Sequence, residues 1–128
     1  MSIKDQLHVL VVDDMATSRG LITQSLAELG IRNVAWEEDG KVAFDRLQRQ
    51  PVHLIISDQN MPNMTGLDLL QSVRTHPQLG RTGFILVTGS PEPGLLKKGT
   101  ALGLNNYIRK PFTTPDMKRC IEHVVGKL

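Results

Sequence analysis

The chain has 128 residues, 40% hydrophobic and 22% charged, which is enough for one domain with a core of its own. That balance excludes a disordered or collagen-like chain, and a lone cysteine, Cys120, excludes a disulfide scaffold and suits a reducing compartment. The net charge of +2 is too small to point to nucleic acid, but it is unevenly spread: residues 91–128 carry 7 basic and 3 acidic side chains, residues 1–90 carry 8 and 10. The longest apolar runs, Val9–Val12 and Phe84–Val87, fall far short of the roughly 20 residues that span a bilayer. Met1 to Leu7 holds Lys4 and Asp5 and lacks the apolar stretch of a secretory signal. A cytoplasmic domain is expected, with neither a membrane nor nucleic acid as partner.

His8 to Val12 is a short β-branched run closed by two aspartates, the pattern of a strand buried on both faces. Residues 16–29 place Ile22, Leu26 and Leu29 at helical spacing, and Gly30 ends that helix at the C′ position. Asn33 to Glu37 reads as a second strand. Ala43, Phe44 and Leu47 mark a second helix that stops before Pro51. Val52 to Ser57 is a third strand ending at Asp58, and Leu67, Leu70 and Val73 give a helix from about Thr65 to Thr75. Phe84 to Val87 is a fourth strand, followed by Thr88. Ser90 to Gly103 predicts a short, mobile helix weakened by Pro91, Pro93, Gly94 and Gly99; an interior glycine costs about 1 kcal/mol relative to alanine. Tyr107 to Lys110 is the fifth strand, and Thr114 to Lys127 the last helix, with Met117, Ile121, Val124 and Val125 inward.

Five strands alternating with five helices imply an α/β fold, a parallel sheet covered on both faces with right-handed crossovers. Ligands of such sheets sit beyond the carboxyl ends of the strands. Asp13, Asp14, Asp58, Thr88 and Lys110 each stand at or just past such an end, so four segments deliver acids, a hydroxyl and a cation to one edge. Singly they have ordinary explanations: Asp14, before Ala16, could cap a helix. Jointly they do not, and Lys110 is a poor choice for a buried strand without an acidic partner.

If Asp13, Asp14 and Asp58 lie within about 5 Å of one another, each ionised pair repels by roughly 3 kcal/mol at an effective dielectric of about 20. A proton or a cation must then join them. Hard oxygen ligands with room for water suit Mg²⁺, which leaves positions for a phosphoryl group. A carboxylate is also a competent nucleophile toward phosphorus, with catalysis resting on positioning and charge stabilisation. Asp58 is the better nucleophile, alone on a central strand, while Asp13 and Asp14 can divide the metal between them. Thr88, a nearby backbone N–H and Lys110 can take phosphoryl oxygens, and Gly89 lets the backbone come close.

Taken in order and spacing over nearly the whole chain, Val11–Asp14, Ser57–Leu67, Val87–Thr88 and Lys110–Phe112 resemble the receiver domains of two-component response regulators, most closely their single-domain chemotaxis members. The resemblance implies a flavodoxin-like, doubly wound five-stranded parallel sheet of order 2-1-3-4-5. It implies one receiver domain over residues 1–128 and no output domain. Asp58 would accept a phosphoryl group from a chemotaxis-type histidine kinase. Asp14, Asp58 and the backbone carbonyl of Asn60 would hold Mg²⁺, with Asp13 acting largely through metal-bound water. Lys110 would bind a phosphoryl oxygen, Thr88 would be the switch hydroxyl and Tyr107 the aromatic that follows it. The Lys110–Pro111 peptide would be cis.

Such a domain catalyses its own phosphorylation and dephosphorylation and is otherwise no enzyme; its output is binding. The implied output face joins the fourth helix, fifth strand and last helix, where Lys97, Lys98, Arg109, Lys118 and Arg119 make it positive. A flagellar motor switch protein or a phosphatase are the further partners implied. Three other readings stand beside this one: a phosphate sink that drains a kinase and docks nothing, a degenerate receiver that is only an interaction module, which the intact set of five polar residues opposes, and a Mg²⁺-dependent small-molecule phosphohydrolase. The last wants an acid two residues after the nucleophile, where Asn60 stands. Gln59 replaces the tryptophan of the chemotaxis members, and the only tryptophan, Trp36, lies on the second strand, where it is expected to report binding poorly. His8, His53, His76 and His123 show no ligand spacing, and Met61 and Met64 read as packing residues.

Overall fold

Short runs of branched apolar residues set the architecture by needing cover on both sides. The structure is a computed structural model and describes residues 2–128. In chain order the elements are α1 (Ile3–Gln6), β1 (His8–Val12), α2 (Ala16–Glu28), β2 (Asn33–Glu37), α3 (Gly40–Arg49), β3 (Leu54–Asp58), α4 (Gly66–Thr75), β4 (Gly83–Thr88), α5 (Pro93–Ala101), β5 (Asn106–Arg109) and α6 (Thr114–Val125). The strands form one parallel sheet in the order β2-β1-β3-β4-β5, the flavodoxin-like arrangement. No helix among the described residues is long and apolar enough to cross a membrane.

Side-chain alternation splits the core in two. Val9 and Val11 of β1, Leu54 and Ile56 of β3, and Ile85 and Val87 of β4 face Ile22 and Leu26 of α2 and Met117 and Ile121 of α6. Their neighbours Leu10, Val12, Ile55, Phe84 and Leu86 face Ala43 and Leu47 of α3 and Leu67, Leu70 and Val73 of α4. Each large side chain so buried contributes about 1.5–3 kcal/mol. Met61 is buried in the second cluster and Met64 packs against it, as packing residues should.

Several boundaries differ from expectation. β3 begins at Leu54, two residues late, where the chain comes into register with Val9 on one side and Gly83 on the other. Asp58 itself belongs to β3. β5 ends at Arg109, so Lys110 stands one residue past the strand; Pro111 follows with no N–H to extend a ladder. α6 stops at Val125 because Gly126 turns the chain out with φ +94°. The single turn α1 was not anticipated. The helix over Ser90–Gly103 is nine residues long, with Pro93 in its first turn.

Helix starts bring the loops to the same rim. Thr65 and Thr113 head capping boxes with Asp68 and Asp116. At the head of α4, a Cβ on Gly66 would meet the Asp58 backbone oxygen and the Leu86 side chain, both at 2.6 Å. Only glycine allows this helix to start against the end of β3.

Candidate functional site

The sheet register assembles the site. β3 lies between β1 and β4, with Val12 abreast of Ser57 and Asp58 abreast of Val87. Asp13 extends β1 by one more bond, its N–H donating to the Glu37 carbonyl at 3.1 Å. Asp13 is fully buried, Asp58 nearly so and Asp14 half-buried. One carboxylate oxygen from each of the three lies within 4.8 Å of the others. Asp14 is not a helix cap: the N-cap of α2 is Met15, whose side chain bonds nothing there.

Two of these acids are short of partners. Asp13 Oδ1 accepts from the Met15 N–H at 3.0 Å, but Asp13 Oδ2 and Asp14 Oδ1 are buried with no hydrogen-bond partner among the described residues. A buried polar atom left so costs about 1–3 kcal/mol. Lys110 supplies the cation. Its Nζ donates to Asp58 Oδ1 at 3.0 Å and stands 3.9 Å from Asp13 Oδ2, near enough for attraction but too far for a hydrogen bond. Burial pushes the Asp58 carboxyl up from its ordinary value; the Lys110 ion pair pulls it down and the Asp13 charge adds to the rise. Burial wins. The partner that Lys110 required on sequence grounds is therefore Asp58.

Thr88, buried at the end of β4, accepts from the Ser90 N–H at 3.1 Å, and its carbonyl accepts from the Lys110 N–H at 2.9 Å. A Cβ on Gly89 would meet nothing within 4 Å, so the surrounding protein does not itself require glycine there. The Lys110–Pro111 peptide is cis. Beside the acids, a cleft of about 670 Å³ runs from Lys110 to the exposed side chains of Met15 and Leu21. Asn60 is exposed, past the end of β3. Tyr107 is not drawn into the cluster: the residue is 42% exposed on the edge strand, beside Arg109, Arg119 and Cys120.

A model of the response regulator receiver domain matches residues 9–122. The chain belongs to the receiver domain family. This receiver domain is 42% identical, over all of its own length and 99% of the other's, to a protein of Rhizobium etli named probable chemotaxis protein CheY. Its fold matches the solved structure of the Vibrio cholerae chemotaxis protein CheY4 with a TM-score of 0.86 at 30% identity, covering 92% of this chain and 98% of that one. It also matches the receiver domain of a sensor histidine kinase from Pseudomonas aeruginosa, solved with a magnesium ion coordinated in its active-site cleft, with a TM-score of 0.84 at 26% identity over 94% and 98% of the two chains. In this receiver domain the donor set of three carboxylates, two of them with unpartnered buried oxygens, fits a hard divalent cation.

Two residues at the site were missed by sequence reasoning. Gln59 was noted only for what it replaces. It caps α4: its Oε1 accepts from the Leu67 N–H and its carbonyl from the Gly66 N–H, both at 3.0 Å. Arg19 carries no sequence signal, yet its Nη1 donates to the Asp13 carbonyl at 3.0 Å. Neither uses a partner that a spacing rule can see, since one bonds amides seven and eight residues ahead and the other a main-chain oxygen six residues behind.

Proposed function

We propose that this receiver domain takes a phosphoryl group from a phosphohistidine of a kinase onto Asp58, with Mg²⁺ held by Asp13, Asp14, Asp58 and the Asn60 carbonyl. The observation that carries the reading is the trio of acids within 4.8 Å, with two buried oxygens unpartnered and Lys110 paired to Asp58. In the transfer, the phosphorus–nitrogen bond of the donor breaks and a phosphorus–oxygen bond to Asp58 forms. The donor imidazole keeps the electron pair and takes up a proton. Bound there, Mg²⁺ supplies neutralisation of the negative charge on the acids and on the phosphoryl oxygens.

The chain's own groups do the positioning. Lys110 holds Asp58 in place beforehand and gives a cation to the incoming anion without a rearrangement of solvent. Thr88 and the Ser90 N–H stand at the adjoining strand end, where a hydroxyl and an amide can serve further oxygens. A shift of the Thr88 hydroxyl toward the new anion, followed by Tyr107, would give two states with different affinity for a partner. The output is binding through the face of α5, β5 and α6. The relative named a chemotaxis protein supports a chemotaxis kinase as donor and a cytoplasmic setting, with a motor switch protein or a phosphatase downstream.

With Mg²⁺ and acetyl phosphate the protein should gain one acid-stable, base-labile phosphoryl group by intact mass, and Asp58→Asn should gain none. Full labelling of that variant would remove the assignment.

A further inference from the structure

Arg19 stands outside the acid cluster but grips the main chain beneath it. Its Nη1 donates to the Asp13 carbonyl at 3.0 Å, and its guanidinium carbon lies 4.0 Å from the centre of the Trp36 ring on β2. Among the described residues Arg19 forms no ion pair with a carboxylate. Stacking on an indole face fixes the plane of a guanidinium, and so aims the bond that it gives. The carbonyl it holds belongs to the peptide unit joining Asp13 to Asp14. Fixing that unit fixes the base from which both carboxylates hang. The Asp13 N–H is tied to Glu37 and Asp13 Oδ1 to the Met15 N–H, so the turn is held on three sides. The oxygens left without a partner are Asp13 Oδ2 and Asp14 Oδ1, those a cation needs.

We propose that Arg19, braced on Trp36, is a positioning residue that sets the Asp13–Asp14 peptide for Mg²⁺, and that Trp36 emission thereby reports loading of the site. The proposal rests on the reading of the acids as a Mg²⁺ site, and it reverses the sequence expectation for Trp36. Electrostatics supplies the sign that separates positioning from charge. Arg19 is a cation beside a site for a dication, so by Coulomb repulsion alone its removal tightens Mg²⁺ binding. As a positioning residue its removal weakens binding, by about tenfold or more, as for other groups that orient metal ligands.

Mg²⁺ is titrated into the wild-type protein and Arg19→Met, followed in parallel by calorimetry and by Trp36 emission. Methionine can still lie on the indole but brings neither donor nor charge. Wild-type emission should change along the calorimetric binding curve. Arg19→Met should bind about tenfold or more weakly, with emission flat through saturation, while its urea midpoint in EDTA stays near wild type. Equal or tighter binding by Arg19→Met overturns the positioning role, and flat wild-type emission during calorimetric binding overturns the reporter. If Arg19→Met does not fold in EDTA, Arg19→Lys is titrated instead; it keeps the charge without the planar fork and should bind severalfold more weakly, and undiminished affinity there overturns the proposal. A wild-type protein that takes no Mg²⁺ by calorimetry overturns the metal reading itself, a result distinct from any in which only the variant and wild type agree.

Discussion

Both rims of the sheet hold partly or fully buried charge, and they treat it in opposite ways. At the amino ends of β4 and β5, Arg74 gives its hydrogens to four acceptors: the carbonyls of Gly103 at 3.1 Å, Gly80 at 3.2 Å and Thr82 at 2.6 Å, and Asn105 Oδ1 at 2.8 Å. Asn105 Oδ1 also accepts from the Phe84 N–H at 2.8 Å, so one guanidinium ties α4 to the segments that enter both strands. At the carboxyl ends, one lysine pairs with two of three acids, Asp58 and Asp13, and among the described residues two buried oxygens are left bare. A charge that serves the fold is satisfied within the chain, whereas a charge that serves a ligand is left for the ligand to satisfy. Removing the first should cost stability. Neutralising the second should add it.

The largest effect expected is at the amino rim. Arg74→Ala strands several carbonyls that a charged donor now serves, each such bond contributing about 1.5–3 kcal/mol. A loss of about 3 kcal/mol corresponds to a fall in Tm of about 10 °C for a domain of this size, read by calorimetric melting. A fall below about 4 °C would break the contrast, because the arginine would then be dispensable to the rim that it staples.

A smaller effect of opposite sign belongs to the carboxyl rim. Burial pushes the Asp58 carboxyl above its unfolded value, so between the two values the folded protein binds more protons than the unfolded chain. Its favourable contribution is fully present below the unfolded value of 3.8 and is lost as pH rises through the folded one. Urea midpoints in EDTA should therefore show Asp58→Asn gaining on wild type as pH rises from below 4 toward neutrality. A variant weaker than wild type across the whole range would mean that the Lys110 ion pair, not burial, governs this carboxylate.

The two rims were also unequally legible in the sequence. The carboxyl rim could be read because its residues come at the ends of largely apolar runs: Asp13 after Val9–Val12, Asp58 after Val52–Ser57, Thr88 after Phe84–Val87. Chain alternation then sends them all to one edge, whatever the register. Whether Asp14 was cap or ligand could not be read, since both roles want an aspartate before a helix; the cap position at Met15 removes the first. The amino rim left no such trace. Arg74 and Asn105 are 31 residues apart, and the arginine's other acceptors are main-chain oxygens, which every residue offers. Arg19 and Gln59 were opaque for the same reason. Lys110 reads as the last residue of the fifth strand but lies one residue past β5, although its own N–H still bonds the Thr88 carbonyl at 2.9 Å.

The smallest effect sharpens the contrast by asking whether the rims open together. Burial pushes the Cys120 thiol up to about 11, so at pH 8 about one in a thousand is thiolate, against about one in four for a free cysteine. A disulfide reagent should therefore label the folded protein slowly, through openings that part α6 from β5. Cys120 is tied to that strand twice, its Sγ directed at the Tyr107 carbonyl at 3.5 Å and its own carbonyl accepting from Asn106 Nδ2 at 3.3 Å. Asn105, the partner of Arg74, immediately precedes Asn106 in the chain. Arg74→Ala should thus speed labelling by up to about a hundredfold, as its lost stability requires. Asp58→Asn should leave the rate within about threefold of wild type, or slow it, because the bonds that hold α6 to β5 lie away from the acids. Comparable acceleration in both variants would mean that the rims open as one unit, and that satisfied and unsatisfied charge make no difference to where this fold first gives way.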